Sequence, residues 1–313
     1  MKEIQHPVLK AKKVLNDMAS RTNRLCTVFL FLALMAFSFG HAQKRKYILL
    51  DMLDSAYTIK QYTLSTAELY GTDDRIELFN VYIDEQSLIL FSVLPGFDNT
   101  QNWEEVDKSE IEGAMIQYAD FNENYVRKIR RGVRLEKSFS LRIVRVDNGR
   151  YLASKLCLFE QFNIREYHHA INTPPGTINI NRPPIDVVKM QEEYLRLFPD
   201  ATFPSQQNSM AIVQDRMLIG MYLSKELCVN NRKAYFFWVF DDWNVVDGPN
   251  IHRGIDRFIY IPELGIVGGS YDFHFAFGNP WEPVPNSKRY RISPEQWQQN
   301  VMEEKVMLAE ELK

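Results

Sequence analysis

The chain has 313 residues, of which 45% are hydrophobic and 13% aromatic, so it can bury a substantial core and is not a disordered polymer. It carries 37 Lys and Arg against 40 Asp and Glu, a net charge of −3. This acidic balance argues against nucleic acid as the main partner.

An apolar run near the N-terminus has the three parts of a secretory signal peptide. Arg24 precedes an uncharged stretch from Leu25 to Phe39, and the small residues Gly40 and Ala42 precede Gln43. A helix needs about 20 apolar residues to span a bilayer, and the uncharged stretch is shorter than this. The sequence therefore predicts a cleaved signal rather than a membrane anchor.

The expected signal peptide covers residues 1–42, with Met18 as an alternative start that would give it ordinary proportions. Six basic and two acidic residues lie in this part, so the mature chain, 43–313, has a net charge of −7. A retained anchor is the alternative, because Lys44-Arg45-Lys46 follows the run. A cut before Gln43 is typical of exported proteins of Gram-negative bacteria. We therefore expect a periplasmic or secreted protein with no transmembrane span after cleavage.

The mature chain begins with a stretch whose pattern is ambiguous. Apolar residues at three- and four-residue spacing predict an amphipathic helix over 47–62, although Tyr57-Thr58-Ile59 and Tyr62-Thr63-Leu64 also fit strands. The next two runs, 77–84 and 87–94, predict a hairpin around Asp84-Glu85-Gln86.

A helix is predicted from Ser109, because Glu112 completes a capping box. Its end is strongly basic around Arg127 and Arg130, which suits either a solvated helix end or a site for an anionic partner. Two strands should then meet at Asp147-Asn148-Gly149.

Proline-rich segments make 173–184 the best candidate for an internal boundary, although we expect one continuous domain over 43–313. Pro184 can begin a helix. Paired strands are predicted over 210–224, and the most aromatic segment, 234–246, is a strand by composition.

The last third of the chain combines a predicted hairpin with a helix. The hairpin joins 257–261 to 265–277, where aromatic and polar residues alternate with a period of two. Ser293, Pro294 and Gln296 begin a C-terminal amphipathic helix through Leu312. The fold class is therefore α+β, mainly an antiparallel sheet built from hairpins with a few helices.

Two cysteines follow the expected signal, Cys157 and Cys228. In an oxidising compartment they either form a disulfide or stay as two separate buried thiols. The sequence alone leaves both alternatives open, because it does not show whether the two Cα atoms lie close enough.

The sequence lacks strong motifs for catalysis or for a metal. It contains no H-E-x-x-H and no paired C-x-x-C, and Gly268-Gly269-Ser270 lacks the G-x-S-x-G elbow. His274 and Asp272 would share one face of the predicted strand, either as a proton-transfer pair or as part of a polar sheet face. We therefore predict no metal and no cofactor, and assign no catalytic residue.

The loops around the aromatic hairpins are the best candidates for a ligand site. They carry flat apolar faces beside oxygen and imidazole groups, a chemistry suited to a glycan or a peptide. The candidate ligand-binding residues are Asp242, Trp243, Asp247, His252 and Trp281.

The sequence predicts a binding or interaction module of the cell envelope, with a glycan, a peptide or an envelope protein as partner. A periplasmic or secreted hydrolase acting on glycan or peptide is the alternative. A structural accessory of an envelope complex is the third hypothesis.

Export provides the first test. When the chain is expressed in a Gram-negative host, we expect the mature protein to begin at Gln43 and to be recovered in the soluble fraction, because the apolar run is too short to anchor it. Intact mass spectrometry of the fractionated cells measures this. A membrane-bound product that retains residues 1–42 would contradict the prediction and support an anchor.

Overall fold

The computed structural model describes seven segments of the chain: residues 46–96, 101–131, 135–166, 176–197, 221–239, 254–277 and 290–313. Their strands form three sheets, mostly from antiparallel pairs, and short helices lie between them. The predicted α+β class with an antiparallel, hairpin-built sheet is therefore confirmed.

The first sheet has the strand order β1-β7-β8-β5. Its strands are β1 (Lys46–Leu49), β5 (Trp103–Val106), β7 (Leu141–Asp147) and β8 (Arg150–Ser154). The predicted turn between β7 and β8 is confirmed, with Asn148 at φ 51° and Gly149 at φ 79°. Two left-handed residues are what a tight two-residue hairpin loop requires.

The central sheet has the order β10-β9-β4-β3-β2, and β6 pairs with β9. Its strands are β2 (Thr58–Ser65), β3 (Arg75–Asp84), β4 (Ser87–Val93), β6 (Lys137–Ser138), β9 (Cys157–Ile164) and β10 (Thr177–Ile178). The predicted hairpin of β3 and β4 is confirmed, and Asp84 Oδ1 accepts the Gln86 N–H at 3.0 Å in its turn. Every residue of β4 is buried, so this strand lies at the centre of the core.

The third sheet has the order β11-β12-β13-β14-β15. Its strands are β11 (Met221–Val229), β12 (Arg232–Val239), β13 (Arg257–Ile261), β14 (Gly265–Ser270) and β15 (Met307–Leu308). The predicted pairing of 257–261 with the following arm is confirmed as far as Ser270. A register shift leaves Val267 as a bulge before Gly268, whose Cβ, if present, would lie 2.5 Å from the Met307 carbonyl oxygen.

The central and third sheets pack against each other and form most of the core. The Asn80 side chain accepts the Ile266 N–H at 2.8 Å and donates to the Ile266 carbonyl at 2.9 Å. The rings of Phe162 and Phe258 meet with centroids 5.7 Å apart. An isolated bridge between Leu64 and Ala309 also links β2 to the chain just after β15.

The helices of the described segments are short. They are α1 (Leu50–Asp54), α2 (Ala67–Tyr70), α3 (Lys108–Ile111), α4 (Tyr118–Phe121), α5 (Arg127–Arg130), α6 (Val187–Leu197), α7 (Asp272–Phe277) and α8 (Pro294–Met302). None of the helices in these segments has the length and apolarity that a bilayer crossing requires.

The predicted helix over 47–62 is wrong for most of its length. Only α1 is helical, while β1 pairs in parallel with β7 and β2 pairs with β3 over eight residues. The strand alternative at Tyr62-Thr63-Leu64 is confirmed, and that at Tyr57-Thr58-Ile59 holds from Thr58 onward. Pairing with β7 and β3 overrode the local helical periodicity, because each strand gains a ladder of backbone hydrogen bonds along one edge.

The helix predicted from Ser109 is also corrected. Asp107 is the N-cap, since its carboxylate accepts the Ser109 N–H at 2.8 Å. The chain then leaves the helix after a 3₁₀ turn, 112–114, and resumes it at α4. Residues 122–126 form a π-helical turn before α5. Gly113 disfavours a continuous helix at the point where the first part ends.

Two predictions near the C-terminus need correction. The strand predicted through Phe277 ends at Ser270, and the aromatics that alternate after Tyr271 lie in α7. Ser293 does cap α8, because its hydroxyl accepts the Gln296 N–H at 3.1 Å, but α8 ends at Met302 and not at Leu312. The helix beyond Pro184 begins only at Val187.

The structure contains Cys157 and Cys228 as free thiols, so the disulfide is not formed. Cys157 is buried at the start of β9, whereas Cys228 is exposed on β11 in another sheet. The alternative of two separate buried thiols is therefore correct about the separation and wrong about the burial of Cys228.

Thiol labelling distinguishes these environments. We expect Cys228 to react with iodoacetamide in the native mature protein, because it is exposed. Cys157 should react only after unfolding, since burial raises the pKa of its thiol to about 12 and little thiolate forms. Peptide mapping without reductant measures both. Two unreactive cysteines that become labelled only after reduction would mean that the disulfide exists.

Candidate functional site

The five loop residues predicted to bind a ligand lie outside the described residues: Asp242, Trp243, Asp247, His252 and Trp281. They therefore stay predictions. The aromatic strand that precedes the first of these loops is described, and Trp238 is buried there as expected of a core residue. Its indole N–H donates to Glu304 Oε1 at 2.7 Å.

The pairing proposed for His274 and Asp272 is wrong, because both residues lie in α7 rather than on one face of a strand. Residues two apart in a helix point in different directions. Asp272 is instead fully engaged with Arg257 and Tyr70, while His274 is buried with its ring edge-on to Phe275. In the described part of the chain there is also no group of three or more His, Cys, Asp or Glu that could hold a metal ion.

The basic segment at α5 is largely paired with acidic side chains. Lys128 Nζ lies 2.9 Å from Glu136, Arg130 Nε lies 3.1 Å from Asp84, and Arg127 pairs with Glu123. These ion pairs support the interpretation of a solvated, salt-bridged surface rather than a site for an anion.

A buried polar network joins the central sheet to the end of the third sheet. Arg257 Nη1 lies 2.8 Å from Asp272 Oδ2, and Tyr70 donates its hydroxyl to Asp272 Oδ1 at 3.0 Å. The Tyr70 hydroxyl accepts the Tyr271 N–H at 2.7 Å, and the Tyr271 hydroxyl lies 2.6 Å from Ser92 Oγ. These side chains are almost completely buried, so each directed bond replaces hydration that the group has lost.

A second buried group is the carboxyl of Glu160, opposite Lys137 in the pairing of β9 with β6. The Ile255 N–H lies 3.3 Å from both Glu160 oxygens, and a Cβ at Gly254 would lie 1.7 Å from one of them. Only a glycine lets the backbone come so close to the carboxyl.

Burial raises the pKa of Glu160 from 4.5 to about 7, against the opposing effect of the Lys137 ammonium. The negative charge of Asp256 raises the pKa as well. A carboxyl with this pKa is suited to proton transfer near neutral pH. Because Glu160 is 0% exposed, however, no substrate atom can reach it in this structure. The geometry therefore assigns it a structural role.

An open groove lies where the β3–β4 turn approaches the β13–β14 turn. Its volume is ≈ 690 Å³. It is lined by residues in and beside these two turns, around the start of β2, at the end of β9 and just after β10: Ala56, Tyr57, Thr58, Lys60, Tyr82, Ile83, Asp84, Glu85, Ile164, Ile180, Tyr260, Pro262 and Glu263. We call this surface the tyrosine groove.

Three bonds from the central sheet hold the second turn in place at the tyrosine groove. Tyr82 donates its hydroxyl to the Pro262 carbonyl at 3.0 Å, and Tyr62 donates to the Leu264 carbonyl at 3.1 Å. Lys60 donates from Nζ to the Glu263 carbonyl. The β13–β14 turn is therefore tied to β2 and β3 of the central sheet.

The floor and the rim of the tyrosine groove differ in exposure. Tyr260 is buried, and Tyr57 and Tyr82 are half-buried, so their rings form the floor. Burial raises the pKa of Tyr82 and of Tyr260 well above 10, so both phenols are neutral at physiological pH. Glu85 and Glu263 are exposed and form the rim. The arrangement combines flat apolar faces with charged edges, which is typical of a site that binds a polar ligand.

Sequence reasoning did not find the tyrosine groove. Its residues come from stretches more than 200 positions apart, such as Thr58 and Tyr260, and each looks like an ordinary strand or turn residue. The only local signals were the turns at Asp84-Glu85-Gln86 and around Pro262, which were predicted as turns and not as parts of one surface.

The comparisons with known proteins give no match for this chain among family models, curated proteins or solved structures.

The buried carboxyl predicts a pH-dependent stability. The folded state raises the pKa of Glu160 from 4.5 to about 7. The contribution of this carboxyl to the free energy of unfolding is therefore fully present below about pH 4.5 and is lost as the pH rises through 7. We therefore expect Glu160→Gln, which cannot ionise, to stabilise the protein at pH 8 relative to wild type. The pH-dependent difference should be of the order of 3 kcal/mol, at about 1.4 kcal/mol per pKa unit.

Denaturant unfolding of the two proteins at pH 5 and pH 8 measures this effect. Glu112→Gln is the matched control, because Glu112 is exposed and the same substitution there should not alter the pH dependence. If the unfolding free energies of Glu160→Gln and wild type depend on pH in the same way, the raised pKa of Glu160 is contradicted.

Proposed function

We propose that the protein is an exported binding module of the bacterial cell envelope and that its ligand occupies the tyrosine groove. The observation that carries the proposal is the groove itself, with three tyrosine rings and a charged rim. Its ≈ 690 Å³ lies within the range of about 300–1,000 Å³ that is usual for ligand pockets. The export part of the proposal rests on the pattern of residues 1–42.

The chemistry of the groove favours binding over turnover. The lining described above includes neither histidine nor cysteine, and its carboxylates lie on the exposed rim, where their charge is screened by water. Glu160, whose pKa suits acid–base catalysis, is sealed in the core. The hydrolase therefore remains the alternative that the sequence offers, and no contact among the described residues favours it.

Blocking the tyrosine groove tests the proposal. Thr58 is exposed and lines the groove, so Thr58→Trp should fill it and weaken ligand binding by at least about tenfold, or about 1.4 kcal/mol. Immobilised wild-type protein is screened against peptidoglycan fragments and against a library of random ten-residue peptides. The variant is then tested on every ligand that binds.

Gln61→Trp is the matched control, because Gln61 is exposed on the same strand but points to the other face and does not line the groove. Both variants should keep the melting temperature within about 3 °C of wild type, as expected for surface substitutions. The proposal fails if no ligand binds, or if Thr58→Trp binds every ligand as tightly as Gln61→Trp does.

A further inference from the structure

The charges around the tyrosine groove do not balance. Asp84, Glu85 and Glu263 line it, and the only lining cation among the described residues is Lys60. Arg130, beside the groove, is paired with Asp84 at 3.1 Å. Neither Glu85 nor Glu263 forms an ion pair within the described segments, and against their two negative charges the described lining offers only the ammonium of Lys60.

The position of Lys60 indicates what the groove accepts. Its ammonium donates to the Glu263 backbone carbonyl and lies 5.7 Å from the centroid of the Tyr82 ring. A cation at this distance from an aromatic face is attracted by the negative face of the ring. The Lys60 ammonium therefore already engages the Glu263 carbonyl and the Tyr82 ring, and it does so without using the Glu263 carboxylate.

The negative field of the rim reaches the tyrosine rings. The Glu263 carboxylate contributes to the raised pKa of both Tyr82 and Tyr260, after the larger effect of burial. Both rings therefore stay neutral, and Tyr82, which is half-buried, presents part of its ring beside a negative charge, whereas Tyr260 lies buried beneath it. Aromatic rings beside carboxylates favour a cationic ligand, because the ring quadrupole and the carboxylates attract the same charge.

We propose that the tyrosine groove binds a peptide segment that inserts a lysine or arginine side chain between the tyrosine rings and the carboxylates of Glu85 and Glu263. The inference rests on the proposed function and names the ligand of the same site. A peptide is favoured over a neutral glycan because a basic side chain adds charge attraction to the hydrogen bonds that sugar hydroxyls would also donate to the two carboxylates. The apolar stem of a long basic side chain also fits against the tyrosine rings.

Selection of peptides tests the ligand class. A phage-displayed library of random ten-residue peptides is panned on wild-type protein and counter-selected on Thr58→Trp. We expect the peptides that depend on the groove to be enriched in lysine and arginine. Enrichment of neutral or acidic peptides would overturn the inference. Spermidine is added as a competitor, and displacement of the peptides at equal concentration would indicate a free polyamine rather than a peptide as the ligand.

Removing the carboxylates tests the role of the rim. Glu85→Gln and Glu263→Gln should each weaken binding of a selected peptide by about two- to fivefold, as expected for an exposed charge pair. Binding to wild type should also weaken as salt increases, because salt screens exposed charges. Glu112→Gln is the control, since this exposed carboxylate lies outside the groove and should leave affinity unchanged. Equal affinities for all three variants and wild type would overturn the inference.

The outcomes separate this inference from the proposed function. Suppose that a neutral glycan such as chitotetraose binds, that Thr58→Trp abolishes this binding, and that no basic peptide binds. This result would leave the binding function in place and reject the cationic ligand. If neither peptides nor glycans bind in a way that depends on Thr58, the proposed function itself is wrong.

Discussion

The structure depends on how the central sheet is fixed against the third sheet. Apolar contacts such as that of Phe162 with Phe258 bury surface but do little to fix the relative orientation of the two sheets. The orientation is fixed by buried polar groups that form their hydrogen bonds in one arrangement only. The Asn80 amide pairs with both backbone groups of Ile266, and Asp272 accepts from an arginine and a tyrosine. Loss of one partner leaves a buried polar group unpaired, at about 1–3 kcal/mol each.

The same contacts determine where the two turns of the tyrosine groove lie. Asn80, two residues before Tyr82, binds the backbone of Ile266 near the start of β14. This contact fixes the position of β14 and therefore of the β13–β14 turn that precedes it. Tyr82 then reaches the Pro262 carbonyl, and its ring becomes part of the groove floor. A displacement of one sheet against the other would break these bonds and separate the Tyr82 hydroxyl from the Pro262 carbonyl. The geometry of the exposed surface is thus set by groups in the core.

Local patterns predicted the hairpins well, because a turn such as Asp147-Asn148-Gly149 needs only its own residues to form. They failed where a distant partner decides the structure. Residues 271–277 alternate like a strand, yet Tyr271 is held by Ser92 and Asp272 by Arg257, and the chain forms α7 from Asp272 onward. The tyrosine groove could not be predicted for the same reason, since its rings meet only after the sheets have packed.

Carboxylates serve two different purposes in this protein, and their burial decides which one. Asp272 and Glu160 are removed from water, so they must be paired or remain protonated, and their neighbours are arranged to allow this. Glu85 and Glu263 lie on turns in contact with water and contribute little to folding. Their charge therefore remains available to an incoming partner. Paired polar groups in the core, such as Asp272 with Arg257 and Tyr70, thus support a surface that displays exposed carboxylates at the tyrosine groove.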